Sequence, residues 1–163
     1  MAKAQPQYMV SIYDDPNAAG ALRFTFVPKG PQGVRGGGPP QRPSEYIVSV
    51  QGHGEAAAFT WVNPPPNDAV RLVLEQEARE RVTARHEWLQ KLNKLIRTVK
   101  EWADSLGWST KVIEKKMTDN EIGTYKAPAL LLQEESVKLY LEPVARNAPG
   151  TEGVVDLCIM PAY

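Results

Sequence analysis

Two short runs near the start of the chain alternate between apolar and polar side chains. Residues 8–13 (Tyr-Met-Val-Ser-Ile-Tyr) alternate in the manner of a strand. Residues 22–27 set Leu22, Phe24 and Phe26 on one face and Arg23 and Thr25 on the other. The intervening Asp14-Asp15-Pro16-Asn17 is turn chemistry. Residues 46–50 and 59–62 read as a second pair of strands, with Gly52-His53-Gly54-Glu55 as a tight connection. The period then changes. Beyond Pro64-Pro65-Pro66, Asn67 or Asp68 is placed to cap a helix start and Gly107 to end it, predicting one helix over about 68–106. Trp88, Leu92, Leu95, Val99, Trp102 and Leu106 alternate spacings of four and three. At ~100° per residue they keep to one narrow stripe, the expected buried face.

The polar residues of the helix fit in part. Lys91, Lys94, Arg97 and Lys100 fan around the opposite side as a solvated face. Glu75–Arg79, Glu77–Arg81 and Glu87–Lys91 are i,i+4 pairs, each contributing only ~0.2–0.5 kcal/mol. Extending the apolar stripe backward, however, brings Arg81 and Arg85 onto it. Either the helix bends there, or its first half projects past the sheet, or the arginine stems lie along apolar surface with their heads in water. If it projects, Val70, Val73 and Leu74 are exposed and want a partner, so these three with Arg81 and Arg85 are the candidate binding residues.

After the helix, strands are expected over 108–117, 129–133, 137–142 and 154–160, the middle two joined by the turn Glu134-Glu135-Ser136. Val137, Leu139 and Leu141 share one face, with Lys138, Tyr140 and Glu142 opposite. In the last strand Val155, Leu157 and Ile159 oppose Val154, Asp156 and Cys158. The pattern predicts an α+β fold: one long helix packed on a mostly antiparallel sheet, the N-terminal four strands extending it or making a small second sheet. Residues 1–66 are expected as the β unit with a flexible Gly/Pro loop over 29–43, and 67–163 as the helix and four-stranded sheet, together one compact structure.

Composition narrows the function. The chain has 163 residues, with 19 basic and 19 acidic side chains, so no global field draws it to nucleic acid or an anionic membrane. Lys29, Arg35 and Arg42 in the loop, with the helix lysines, leave local nucleic-acid contact as a third option. No apolar leader and no membrane-length apolar run is seen, which predicts a cytoplasmic protein. Cys158 is the single cysteine, which excludes an intrachain disulfide. Lying in an apolar run, it is expected as a packed core thiol. His86-Glu87-Trp88-Leu89-Gln90 starts like the HExxH zinc motif, but Gln90 replaces the second imidazole and His53 sits in a turn. Gly36-Gly37-Gly38 runs into prolines rather than a phosphate-binding Lys-Ser/Thr and helix. Neither a metal nor a cofactor is expected.

Two catalytic constellations are conceivable. Glu142, Asp156, Lys138 and Tyr140 can meet on one sheet face for acid/base work, or form ordinary cross-strand ion pairs there. The segment from Pro128 through the hairpin to Glu142 resembles the core of the PD-(D/E)XK nuclease superfamily over about 88–160. In that family an aspartate follows the proline and Glu-x-Lys ends the second hairpin strand. The resemblance implies metal-dependent hydrolysis, with carboxylates on a divalent ion and a lysine positioning water. Only Pro128 and Glu142 match. Ala129 stands at the aspartate and Val144 at the lysine, so the site would need Asp119, Glu121 or Asp156 as substitutes. The missing motifs, with four tryptophans and six tyrosines, instead favour a non-catalytic binding or assembly module whose partner is a protein, including a second copy of the chain.

Overall fold

A computed structural model of the protein describes residues 8–29, 45–147 and 149–160. It is an α+β structure with two separate four-stranded antiparallel sheets and one long helix. The first sheet runs β1 (Tyr8–Asp14), β2 (Leu22–Pro28), β3 (Tyr46–Gln51) and β4 (Ala58–Asn63), in chain order. Helix α1 spans Asp68–Ser105. The second sheet, also in chain order, is β5 (Ser109–Asp119), β6 (Gly123–Glu134), β7 (Val137–Ala145) and β8 (Val154–Met160). Of the expected Gly/Pro loop only Lys29 is described, exposed just past β2; Arg35 and Arg42 lie outside the described residues. Two compact units divide within α1, between Thr83 and Ala84.

In the first unit, Phe24, Phe26, Val48 and Val50 are buried with Leu74, Ala78 and Val82 of α1. The two phenylalanine rings stack with centroids 6.0 Å apart. Asn67 caps the helix: its Oδ1 accepts from the N–H groups of Ala69 and Val70 at 2.8 and 3.2 Å. The turn after β1 closes on the Asp15 carboxylate. It accepts from the Ser49 hydroxyl (2.5 Å), the Asn17 N–H (2.8 Å) and Arg23 (3.0 Å). The first half of α1 therefore has a sheet of its own and does not project, so Leu74 is buried rather than awaiting a partner.

In the second unit, Trp88 and Leu92 pack with Ile122, Tyr125 and Ala127, while Ile96 and Ala103 pack with Leu130, Leu132 and Leu141. The Trp88 indole N–H donates to the Tyr125 hydroxyl at 2.7 Å inside the first cluster. Gly107, at φ +83°, ends α1 in a Schellman turn. Its N–H bonds the Asp104 carbonyl at 3.1 Å, and the Trp108 N–H bonds that of Ala103 at 2.9 Å. The buried stripe differs from the expected one. It runs Trp88, Leu92, Ile96, Val99 and Ala103, turned by roughly 40° at ~100° per residue. Leu95, Trp102 and Leu106 fall on one flank of it and are exposed.

Candidate interaction surface

The rotated stripe leaves large apolar side chains exposed at one edge of the second sheet. β8 is an edge strand, paired through Leu141↔Leu157, Leu139↔Ile159 and Tyr140↔Cys158 with β7. Leu157 and Ile159 thus share the sheet face of Leu139 and Leu141, the face that α1 covers. Yet Leu157 is 62% and Ile159 77% exposed. The cause is the placement of the helix, whose contacts in this part are mainly with β6 and β7. Its two flanks can be told apart. Asp104 accepts from the Thr110 hydroxyl of β5 at 2.7 Å, so that flank faces β5. Trp102, two residues earlier, lies about 200° further round and projects toward β8. Lys91 on the same flank meets Glu152, just ahead of β8, at 3.4 Å. Trp102, 65% exposed, and Leu106, 72% exposed, thus lie on the flank of α1 turned to the side of the sheet where Leu157 and Ile159 are exposed. The other tryptophans are engaged: Trp88 is buried, Trp61 donates to Glu75 at 2.9 Å, and Trp108 packs against the core.

The two edges of this sheet are unlike. β5 carries Lys111, Glu114, Lys115 and Lys116, and a charged edge resists pairing with another chain. β8 carries one charge, Asp156, in seven residues. Cys158, expected in the core, is an exposed free thiol, because both faces of this half of β8 lack cover.

The opposite face gathers the expected acid/base group without giving it a free carboxylate pair. Glu142 and Asp156 are directly opposite in register. Glu142 Oε2, however, accepts from Lys115 Nζ at 2.9 Å, and that ammonium also bonds the Pro143 carbonyl at 3.0 Å. Burial, then the Glu142 charge, raises the Tyr140 pKa above its ordinary value, keeping the phenol protonated. Lys138 lies one pair further along, opposite Met160. Asp119 and Glu121 are committed to a turn: Asp119 Oδ1 accepts the Glu121 and Ile122 N–H groups at 2.7 and 3.2 Å, and Arg146 donates to Asp119 at 3.3 Å and to Glu121 at 2.6 Å. Burial pushes the Asp119 pKa up, but these donors outweigh it and hold the carboxyl below its usual range. Among the described residues, no three His, Cys, Asp or Glu side chains are grouped to hold a metal ion.

The candidate binding residues on α1 separate. Val70 is half-buried on the first core, Leu74 is inside it, and only Val73 is exposed. Arg81 pairs with Glu77 at 2.9 Å. Arg85 lies over the Tyr125 ring, 5.6 Å from its centroid, with a long contact of 3.5 Å to the Thr124 carbonyl. Both arginines do occupy the stripe, with their stems packed and their heads bonded. Of the other expected helix pairs, Glu75 instead accepts from Trp61, and Lys91 instead donates to Glu152. On the β5 flank of α1, an open groove of about 730 Å³ is lined by Gln90, Asn93, Lys94, Arg97, Lys100 and Val112, among others. Among the described residues, no helix is long and apolar enough to cross a membrane. No protein-family model, no curated protein and no solved structure matches this chain.

The β8 surface was missed by sequence reading. Its signal was present in residues 154–160, where only Asp156 interrupts the apolar side chains.

Proposed function

We propose that this protein is a non-catalytic binding or assembly module whose partner is a protein, engaged through β8 and the Trp102 flank of α1. The observation that carries the reading is the unguarded apolar edge. Leu157, Ile159, Trp102 and Leu106 are mostly exposed on one side of one sheet, and an exposed edge strand offers a row of backbone N–H and C=O groups that protein partners pair with. Contiguous apolar surface of this kind marks interaction sites. Catalysis is not proposed, because Glu142, the one carboxylate matching the nuclease pattern, is bonded to Lys115.

The test is comparative capture. Wild-type protein and Ile159→Lys, used as baits and also run by size-exclusion chromatography with light scattering, are expected to differ. The wild type retains a protein, a second copy or another chain, that the variant loses. A wild type that is a clean monomer and captures nothing refutes the reading.

Nucleic-acid binding has one specific observation in its favour, the groove that Lys94, Arg97 and Lys100 line. Its signature is an affinity that falls steeply with added salt, measured with a labelled oligonucleotide. Lys100 is already held by Asp104 at 2.7 Å, which lessens the charge on offer.

A further inference from the structure

We infer that the occupant of the β8 edge is β8 of a second copy, so that two four-stranded sheets join into one eight-stranded sheet about a two-fold axis. This rests on the protein-binding reading above and names its partner.

Three observations point to self-pairing. The first is exposed apolar surface. Trp102, Leu106, Leu157 and Ile159, with the less exposed Leu95 and Val137, offer a group of large apolar side chains to solvent in each copy, the kind of surface from which an interface of ~800 Å² per partner is built.

The second is register. Residues directly opposite in an antiparallel pair share a face, so about a two-fold axis each β8 residue must meet one of the same parity. Centring on Asp156 sets two carboxylates face to face, which is destabilising. Centring on Cys158 leaves two residues of the strand without partners in β8. Centring on Leu157 pairs all seven residues, Val154 with Met160 and Val155 with Ile159, and puts Asp156 opposite the second copy's Cys158. Of these three registers it is the one that pairs the whole strand and opposes no like charges.

The third is the space above the sheet. With α1 over β6 and β7 and strands ~4.8 Å apart, the two helices would lie about 19 Å from each other on the same face. That is twice the ~8–10 Å of helices in contact. The gap is the place into which Trp102 and Leu106 of both copies project, over Leu157 and Ile159.

The experiment uses the full chain and its single cysteine. In the Leu157-centred register the two Cys158 residues are diagonal neighbours, ~7–8 Å apart. The shortest bismaleimides bridge that, whereas a direct disulfide fits poorly beyond Cα separations of ~6.8 Å. Light scattering over a concentration series is expected to give twice the chain mass, and a short bismaleimide to give a covalent dimer. Ile159→Lys is expected to weaken the dimer at least tenfold and remove the crosslink, with circular dichroism unchanged because the side chain is exposed. Trp102→Ala is expected to weaken it several-fold. A monomer at all concentrations overturns self-pairing, as does a dimer indifferent to Ile159→Lys that gives no Cys158 crosslink. If that monomer still captures another protein through β8, self-pairing falls and the protein-binding reading stands. If it captures nothing, both fall.

Discussion

The two sheets have the same strand order and the same hairpin connectivity, and each is covered by part of α1, but they treat their apolar residues differently. The first buries Phe24 and Phe26 completely and ties the buried carboxylate of Asp15 to three donors. The second buries a smaller-residue centre of Ala127, Ala129, Leu130 and Leu132, and leaves large apolar side chains on β8 and the α1 flank in water. The first unit also exposes Met9, Val62, Leu72 and Val73, whereas the second exposes Leu157 and Ile159 on one edge strand and Trp102 and Leu106 on the helix flank. Apolar side chains exposed singly are ordinary, whereas a cluster of them on one edge indicates contact.

The contrast is broken most strongly from inside the first unit. Phe24→Ala is expected to cost about 3–5 kcal/mol, through lost burial and a cavity. Hydrogen exchange should show protection lost over β1–β4 before β5–β8. Equal loss in both sheets would mean that the two do not hold separate cores. Gly153→Ala acts on the second unit. Gly153 has φ +147°, and a Cβ there would overlap the Trp88 ring. The expected cost is about 1–3 kcal/mol, as for overpacked cores, with Trp88 displaced from Tyr125 and its fluorescence shifted to the red.

Acid sharpens the comparison without a mutation. The Ser49 hydroxyl and the Asn17 N–H, with Arg23, hold the Asp15 pKa below the usual carboxylate range. Asp119 is also held low, against its burial, by the Glu121 N–H, Arg146 and the Ile122 N–H. A carboxylate whose folded pKa is depressed contributes stability that is present above its unfolded pKa and lost as pH falls through the folded value. Stability should therefore decline below the ordinary carboxylate range. Asp15→Asn should flatten that decline in the first sheet and Asp119→Asn in the second, read by urea midpoints at several pH values. The smallest effect belongs to Trp102→Ala. Being mostly exposed, it is expected to change the stability of the single chain by no more than ~0.5 kcal/mol, although it lies on the proposed contact surface.

The sequence was a good guide to local structure and a poorer one to surroundings. Eight strands form near the eight expected, although β6 starts at Gly123, six residues ahead of the expected 129, and the ends of α1 follow from Asn67 and Gly107, because cap and positive-φ stop are written in neighbouring residues. The direction of the buried stripe was not legible. Ala103 is buried but too small to register in an apolar pattern, while Trp102 and Leu106 register strongly and are exposed. Hydrophobicity states that a side chain prefers cover and does not state which neighbour supplies it. The same limit misplaced Cys158, whose apolar neighbours suggested a core where the structure has an edge. It also left Arg85 as a puzzle, because the Tyr125 ring it lies over is remote in the chain, whereas the Glu77 partner of Arg81 was legible from its i,i+4 spacing. The register places Lys138, Tyr140, Glu142 and Asp156 on one sheet face. The link of Glu142 to Lys115 comes from a strand 27 residues away, beyond the reach of local pattern.

The lysines and glutamate of β5 carry a last consequence. In the proposed pairing through β8, the rims of the enlarged sheet would be the two β5 strands, whose charged side chains resist strand addition. Growth would then terminate at a closed pair instead of propagating into a fibre. Neutralising Lys111, Glu114 and Lys116 would remove that stop and turn a defined stoichiometry into open-ended polymerisation.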